Sequence, residues 1–283
     1  MNRRTRTSSA PALLVVAALL PGLDAGDVAG DQFRVEPGAG SELEQSLIVE
    51  VGSPAWTVRS TFTIPVQIHL EVDSLSGVGS LPANQTPPAG GGPFSLPDIY
   101  EPLGIFVTVE RDDTNVTDLA AGSCYSNAEL DSLLIANRDQ DPPSDGNWNL
   151  WAGFVTCFDV SNPALIVLGS MWRTGAFERD GFAIFEDAFT QLGLGNEYIL
   201  RATAHELGHA LNLYHNDGDD QCSGSSTGTT IMNTLAGLDL AAWGYGWSAD
   251  AREHMNDHPE SSIEPGTATP ACSCTATHFC SGC

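Results

Sequence analysis

The stretch from Asn196 to His215, NEYILRATAHELGHALNLYH, restricts this chain more than any other. Ile199, Leu200, Thr203, Leu207, Ala210 and Leu211 recur at helical spacing, which predicts a helix over Asn196–Leu211 with Asn196 as its N-cap. His205 and His209 are four positions apart, so on a helix both imidazoles present one face to one cation. Glu206 adjoins the first of them, where its carboxylate can reach a water beside the metal without being a ligand. His215 lies six residues beyond His209, about one and two-thirds helical turns, and on a continuous helix it would point elsewhere. The helix must therefore end between the two and the chain must bend back. Asn212 stands where that bend is needed, and asparagine tolerates the left-handed conformation that closes helices.

The remaining pattern supplies a scaffold. Phe62 to Val72 alternates apolar and polar residues as a half-buried strand does; His69 within it is given no role. Gly104–Glu110, Trp148–Cys157, Leu165–Trp172 and Gly181–Phe185 read as further strands, the middle two apolar enough to be buried. Leu130, Leu133 and Leu134 place a helix over Asn127–Asn137, and Ser248 opens another that stops before Pro259. Strands mixed with helices in this order predict an α/β or α+β domain with a mainly parallel sheet. Cys124 and Cys157 fall at the ends of two elements and could be joined.

The motif His205-Glu206-Leu207-Gly208-His209, extended to His215, resembles the H-E-x-x-H-x-x-G-x-x-H signature of the metzincin zinc metallopeptidases. Thr230-Ile231-Met232-Asn233, with Met232 seventeen residues beyond His215, is similar to the Met-turn of that clan. The resemblance implies a twisted, mostly parallel sheet with an active-site helix above a smaller, irregular C-terminal subdomain. It also implies one catalytic zinc held by His205, His209 and His215, Glu206 as general base, and Met232 beneath the histidines. The implied activity is hydrolysis of peptide bonds in a protein or peptide substrate. The sequence departs from the clan's pattern at Asn212, where glycine is usual, and at Thr234, where some families carry a tyrosine ligand. No cysteine-switch motif is visible.

Export is expected from the first residues. Arg3, Arg4 and Arg6 precede the apolar run Ala10–Leu20, which is too short to span a bilayer, and Ala25 offers a cleavage position. The expected organisation is a signal peptide at 1–25, an N-terminal segment or short propeptide at 26–56, a zinc metallopeptidase domain at 57–258 and a Cys-rich tail at 259–283. A secreted, extracellular location suits seven cysteines, read as disulfides in preference to thiols, although Cys272, Cys274, Cys280 and Cys283 with His278 could form a zinc knuckle. Acidic residues outnumber basic ones 36 to 11, and every basic residue is arginine, so nucleic acid and membrane surfaces are not expected partners.

Two acidic loops could hold Ca2+: Asp139, Asp141, Asp145, Asn147 and Asn149, and then Asn216, Asp217, Asp219 and Asp220. Asn84 and Asn115 lie in N-x-T triplets. His254 and His258, four apart on the last helix, read as surface residues, and Trp243, Tyr245 and Trp247 as packing. Two other readings compete with a metzincin-like endopeptidase. One takes a downstream glutamate as third zinc ligand; the other is a non-catalytic secreted binding module with a structural zinc, in which all four ligand positions would be closed by protein.

Overall fold

The computed structural model describes residues 44–51, 56–63, 66–111, 113–118, 120, 124–139, 148–159, 166–171, 179–213, 215, 230–234, 240–257, 263–265, 273–275 and 278–281. The chain divides into two compact units, Met1–Ile64 and Pro65–Cys283. In the first, β1 (Glu44–Val51) and β2 (Trp56–Thr63) form an antiparallel pair, with Val51 opposite Trp56. The expected signal peptide lies outside the described residues.

The second unit is built on a five-stranded sheet whose strands are β3 (Val66–Ser74), β4 (Ile105–Arg111), β5 (Trp148–Val155), β6 (Gly169–Met171) and β7 (Gly181–Phe185). Their order is β4-β3-β5-β7-β6, all parallel except the edge strand β6, which runs antiparallel to β7. This is the mixed α/β, mostly parallel arrangement that the alternation of strands and helices predicts. The helices are α1 (Leu96–Tyr100), α2 (Asn127–Asn137), α3 (Glu186–Leu192), α4 (Asn196–Ala210) and α5 (Ala249–Asp257). Short local signals fix several of their starts. Ser95 with Asp98, and Ser126 with Glu129, make reciprocal capping boxes on α1 and α2, and Ser248 Oγ accepts from the Ala251 amide at the start of α5. Leu130, Leu133 and Leu134 of α2 are buried, as their spacing predicts. A short hairpin of β8 (Ser273–Thr275) and β9 (His278–Ser281) lies within the segment read as a tail.

Four expectations are corrected. The stretch Phe62–Val72 is not one strand: β2 ends at Thr63 and β3 begins at Val66 in a different sheet. Pro65 stands between them, and proline has no amide hydrogen for a ladder. Nor is β3 half wet, since Leu70 to Ser74 are all buried, as expected of an inner strand covered on both faces. Its buried carboxylates have donors: Glu71 accepts from the Asp139 amide at 3.0 Å and Asp73 from Trp151 Nε1 at 2.8 Å. The third correction is Leu165–Trp172, where, among the described residues, only Gly169–Met171 forms a strand and it is half-buried, because β6 has a neighbour on one side only. The fourth is the cap of α4. Gly195 takes the N-cap position and Asn196 is the first helical residue.

Cys124 and Cys157 are joined by a disulfide, tying the approach to α2 to the end of β5. The bond is compatible with an extracellular protein. Among the described residues, no helix is long and apolar enough to cross a membrane.

Candidate metal centre

Helix α4 lies against β7 and β6, and from Leu200 to Ala210 every one of its residues is buried. Its end shows how the sequence delivers the third histidine. The Asn212 amide donates to His209 O at 2.9 Å and the Leu213 amide to Gly208 O at 3.0 Å, the bond pair of a Schellman cap. Such a cap needs a left-handed residue, and Asn212 has φ +62°. Arg179, itself 1% exposed, supports the same end: its guanidinium donates to Ala210 O at 3.2 Å, and also to Ile263 O and Glu264 O. A cation at the last carbonyls of a helix opposes the negative end of its dipole.

The bend brings the three histidines together. Nε2 of His205 is 3.1 Å from Nε2 of both His209 and His215, and His209 Nε2 is 2.9 Å from His215 Nε2. Two of the rings are set from behind. His205 Nδ1 donates to Ile231 O at 2.8 Å and His209 Nδ1 to Leu213 O at 2.7 Å. Carbonyls only accept, so both Nδ1 atoms carry the proton and both Nε2 lone pairs face the cluster. Burial, followed by the charges of His209, Arg201 and His215, holds the His205 imidazole well below the usual histidine range and therefore neutral. Three acceptor nitrogens about 3 Å apart repel unless something positive lies between them, and these three could hold a metal ion. Among the described residues no other histidine, cysteine or acid joins them.

Glu206 and Met232 are both buried. Glu206 is 8% exposed, and its side chain runs across Gly169 of β6. A Cβ at Gly169 would lie 2.6 Å from Glu206 Cγ and 2.8 Å from Oε1, so the close approach requires glycine. The carboxylate also acts on Tyr100 of α1, whose phenol is held well above its ordinary pKa, first by burial and then by the charge of Glu206. Tyr100 Oη donates to Ala204 O at 2.6 Å, fastening α1 to α4. Met232 is fully buried, with its sulfur pressed against the helix between the two histidines, where a Cβ on Gly208 would lie 2.5 Å from Sδ.

The aromatic residues after Met232 pack as expected. Trp243 and Trp247 are buried, and Trp247 Nε1 donates to Ile99 O at 2.6 Å. His254 is not a surface residue; it is 2% exposed, because residues 251, 254 and 255 share the inward face of α5. His258 lies outside the described residues. So do Asp141, Asp145 and Asn147 of the first candidate calcium loop, all of the second, Cys222, and the cysteine side chains of the tail. His69 pairs with Glu110 across β3 and β4 at 2.9 Å.

Sequence reasoning missed Gly169, Gly208, Tyr100, Arg179 and Arg201 as parts of this centre. Only Arg201 carried a readable signal: a cation one turn before His205 on an otherwise apolar helix has to be paired if buried. The others matter through contacts with residues distant in sequence. No known protein-family model matches the chain, and no curated protein matches it.

Proposed function

We propose that the protein is an exported zinc endopeptidase of the metzincin kind, with His205, His209 and His215 as metal ligands and Glu206 as general base. The observation that carries the reading is the convergence of three Nε2 atoms at 2.9–3.1 Å; Glu206, the residue after His205, is buried. Tetrahedral ligation at about 2.0–2.1 Å places such nitrogens roughly 3.3–3.4 Å apart, within a few tenths of an ångström of the separations here. Neutral imidazoles with Nδ1 tied to carbonyls are the donor set zinc prefers. Among the described residues three protein ligands gather, and three would leave a tetrahedral ion one open position, as a catalytic site needs.

Bound Zn2+ would supply a Lewis acid that lowers the pKa of water and polarises a carbonyl. The protein's part falls to its own groups. The histidines fix the geometry; Glu206, adjacent to the ligands but not among them, accepts a proton from the attacking water and returns it to the departing amine nitrogen. Gly169 lets the Glu206 side chain pass close to β6. The substrate is a protein or peptide outside the cell.

The test compares the mature protein with Glu206→Gln and His209→Ala on a broad peptide library, with zinc measured in each. Glu206→Gln should keep about one zinc per chain and lose at least ~100-fold in hydrolysis, the usual contribution of a positioned base. His209→Ala should lose the zinc, because two ligands cannot fix the ion. A Glu206→Gln variant as active as its parent refutes the mechanism; full zinc occupancy in His209→Ala refutes the ligand set.

A further inference from the structure

We infer that Arg201 is a positioning residue for the metal centre: it holds the carbonyl of Ile231 that sets the ring of His205, so removing it loosens metal binding without removing a ligand. The inference rests on the reading of the three histidines as metal ligands. Arg201 lies one helical turn before His205, on the same face of α4. Its Nη2 donates to Ile231 O at 3.1 Å, to Thr230 O at 3.4 Å and to Asn233 O. His205 Nδ1 donates to that same Ile231 oxygen at 2.8 Å. One carbonyl therefore accepts from both the guanidinium and the imidazole, one for each of its lone pairs.

The turn that carries this carbonyl is otherwise closed on itself. The Asn233 amide donates to Thr230 O at 3.2 Å, and Asn233 Oδ1 accepts from the Thr230 amide at 3.1 Å and from its hydroxyl at 2.6 Å. The Ile231 amide goes to Gly246 O at 2.9 Å. Three carbonyls of the turn, at 230, 231 and 233, converge on the Arg201 Nη2, where their dipoles would otherwise repel. The guanidinium relieves that repulsion with charge-assisted bonds. It is 4% exposed, and the buried ring of Trp243 lies 5.9 Å from its Cζ. Lysine has no planar fork and is hydrated more strongly, so it is a poor substitute in this position.

The experiment uses the full mature protein with Arg201→Lys and Arg201→Met. Zinc affinity is measured by competition with a chromophoric chelator, ligand geometry by the visible bands of the Co2+-loaded protein, and folding by thermal melting of the metal-free form. Both variants should bind zinc about 10- to 100-fold more weakly, the usual effect of losing a group that orients a ligand, with the cobalt bands altered. If Arg201→Met does not fold, Arg201→Lys decides alone. A merely structural arginine would lower the melting temperature and leave affinity and cobalt spectrum of the folded fraction unchanged; that result overturns the inference and spares the metal centre. If the parent protein binds neither ion, the metal centre and the inference fall together.

Discussion

Replacing Gly208 by alanine tests the packing of Met232 against α4 independently of any activity. In an ordinary helix interior the change stabilises by about 1 kcal/mol, since alanine is the better helix former. Here the new Cβ would stand 2.5 Å from Met232 Sδ and 3.3 Å from its Cε. Non-bonded heavy atoms prefer roughly 3.5–4.0 Å, so the sulfur must retreat by about 1 Å or more. Met232 is fully buried, so the retreat has to be made within the core. Overpacking of this kind costs about 1–3 kcal/mol, which cancels or outweighs the helical gain. Gly208→Ala should therefore be neutral to destabilising by about 2 kcal/mol. In a Met232→Ala background the clash is gone, and the same change should stabilise by about 1 kcal/mol, a coupling of about 1–3 kcal/mol between the two sites. Urea unfolding of the metal-free, disulfide-intact protein measures all four corners of this cycle, provided the denaturant slope stays constant. An equal effect of Gly208→Ala in both backgrounds refutes the contact.

Two further outcomes follow from the same geometry. Asn212→Gly should keep or raise zinc affinity, whereas Asn212→Val should lower both affinity and stability, because valine meets a steric penalty of about 1–2 kcal/mol or more in the left-handed region; equal behaviour in chelator competition contradicts the cap. Gly169→Ala should fold and keep its metal but push the Glu206 carboxylate aside by about 1 Å, lowering kcat on peptides by up to ~100-fold; unchanged kcat contradicts the placement.

How legible the centre was depends on how far each contact reaches along the chain. The histidine spacing demanded a helix that stops and turns, and Asn212 supplies the turn with φ +62°. Both facts concern residues within one short stretch, where steric rules act locally. The sheet's parallel character was legible for a similar reason: strands and helices alternate in the sequence. The errors have a different origin. Asn196 has the side chain of a good cap, yet the cap falls one residue earlier on Gly195, whose carbonyl accepts from the Tyr198 and Ile199 amides without a side-chain bond. The alternation from Phe62 to Val72 reads through a proline because a period of two persists across it, although the ladder does not. Burial of His254, the glycine requirement at 169 and 208, and the pairing of Arg201 with the 230–233 turn all depend on tertiary neighbours. No local pattern encodes which helix face meets which loop.

The shortness of the arc that carries the donors bears on how the chain assembles. From His205 to His215 is ten residues, spanned by the end of a helix and one cap. The first inner pairing of the sheet, Ile68 opposite Trp148, brings together residues eighty apart. Loop-closure entropy grows as the logarithm of length, so joining the strands costs about 2 kcal/mol more in lost chain freedom than joining the histidines. Non-local parallel pairing is also the slow part of folding for domains of this kind. An ion shared by the three imidazoles would close the small loop while the large one is still open, acting as a nucleus on which α4 is held in its final length before β7 and β6 arrive to cover it.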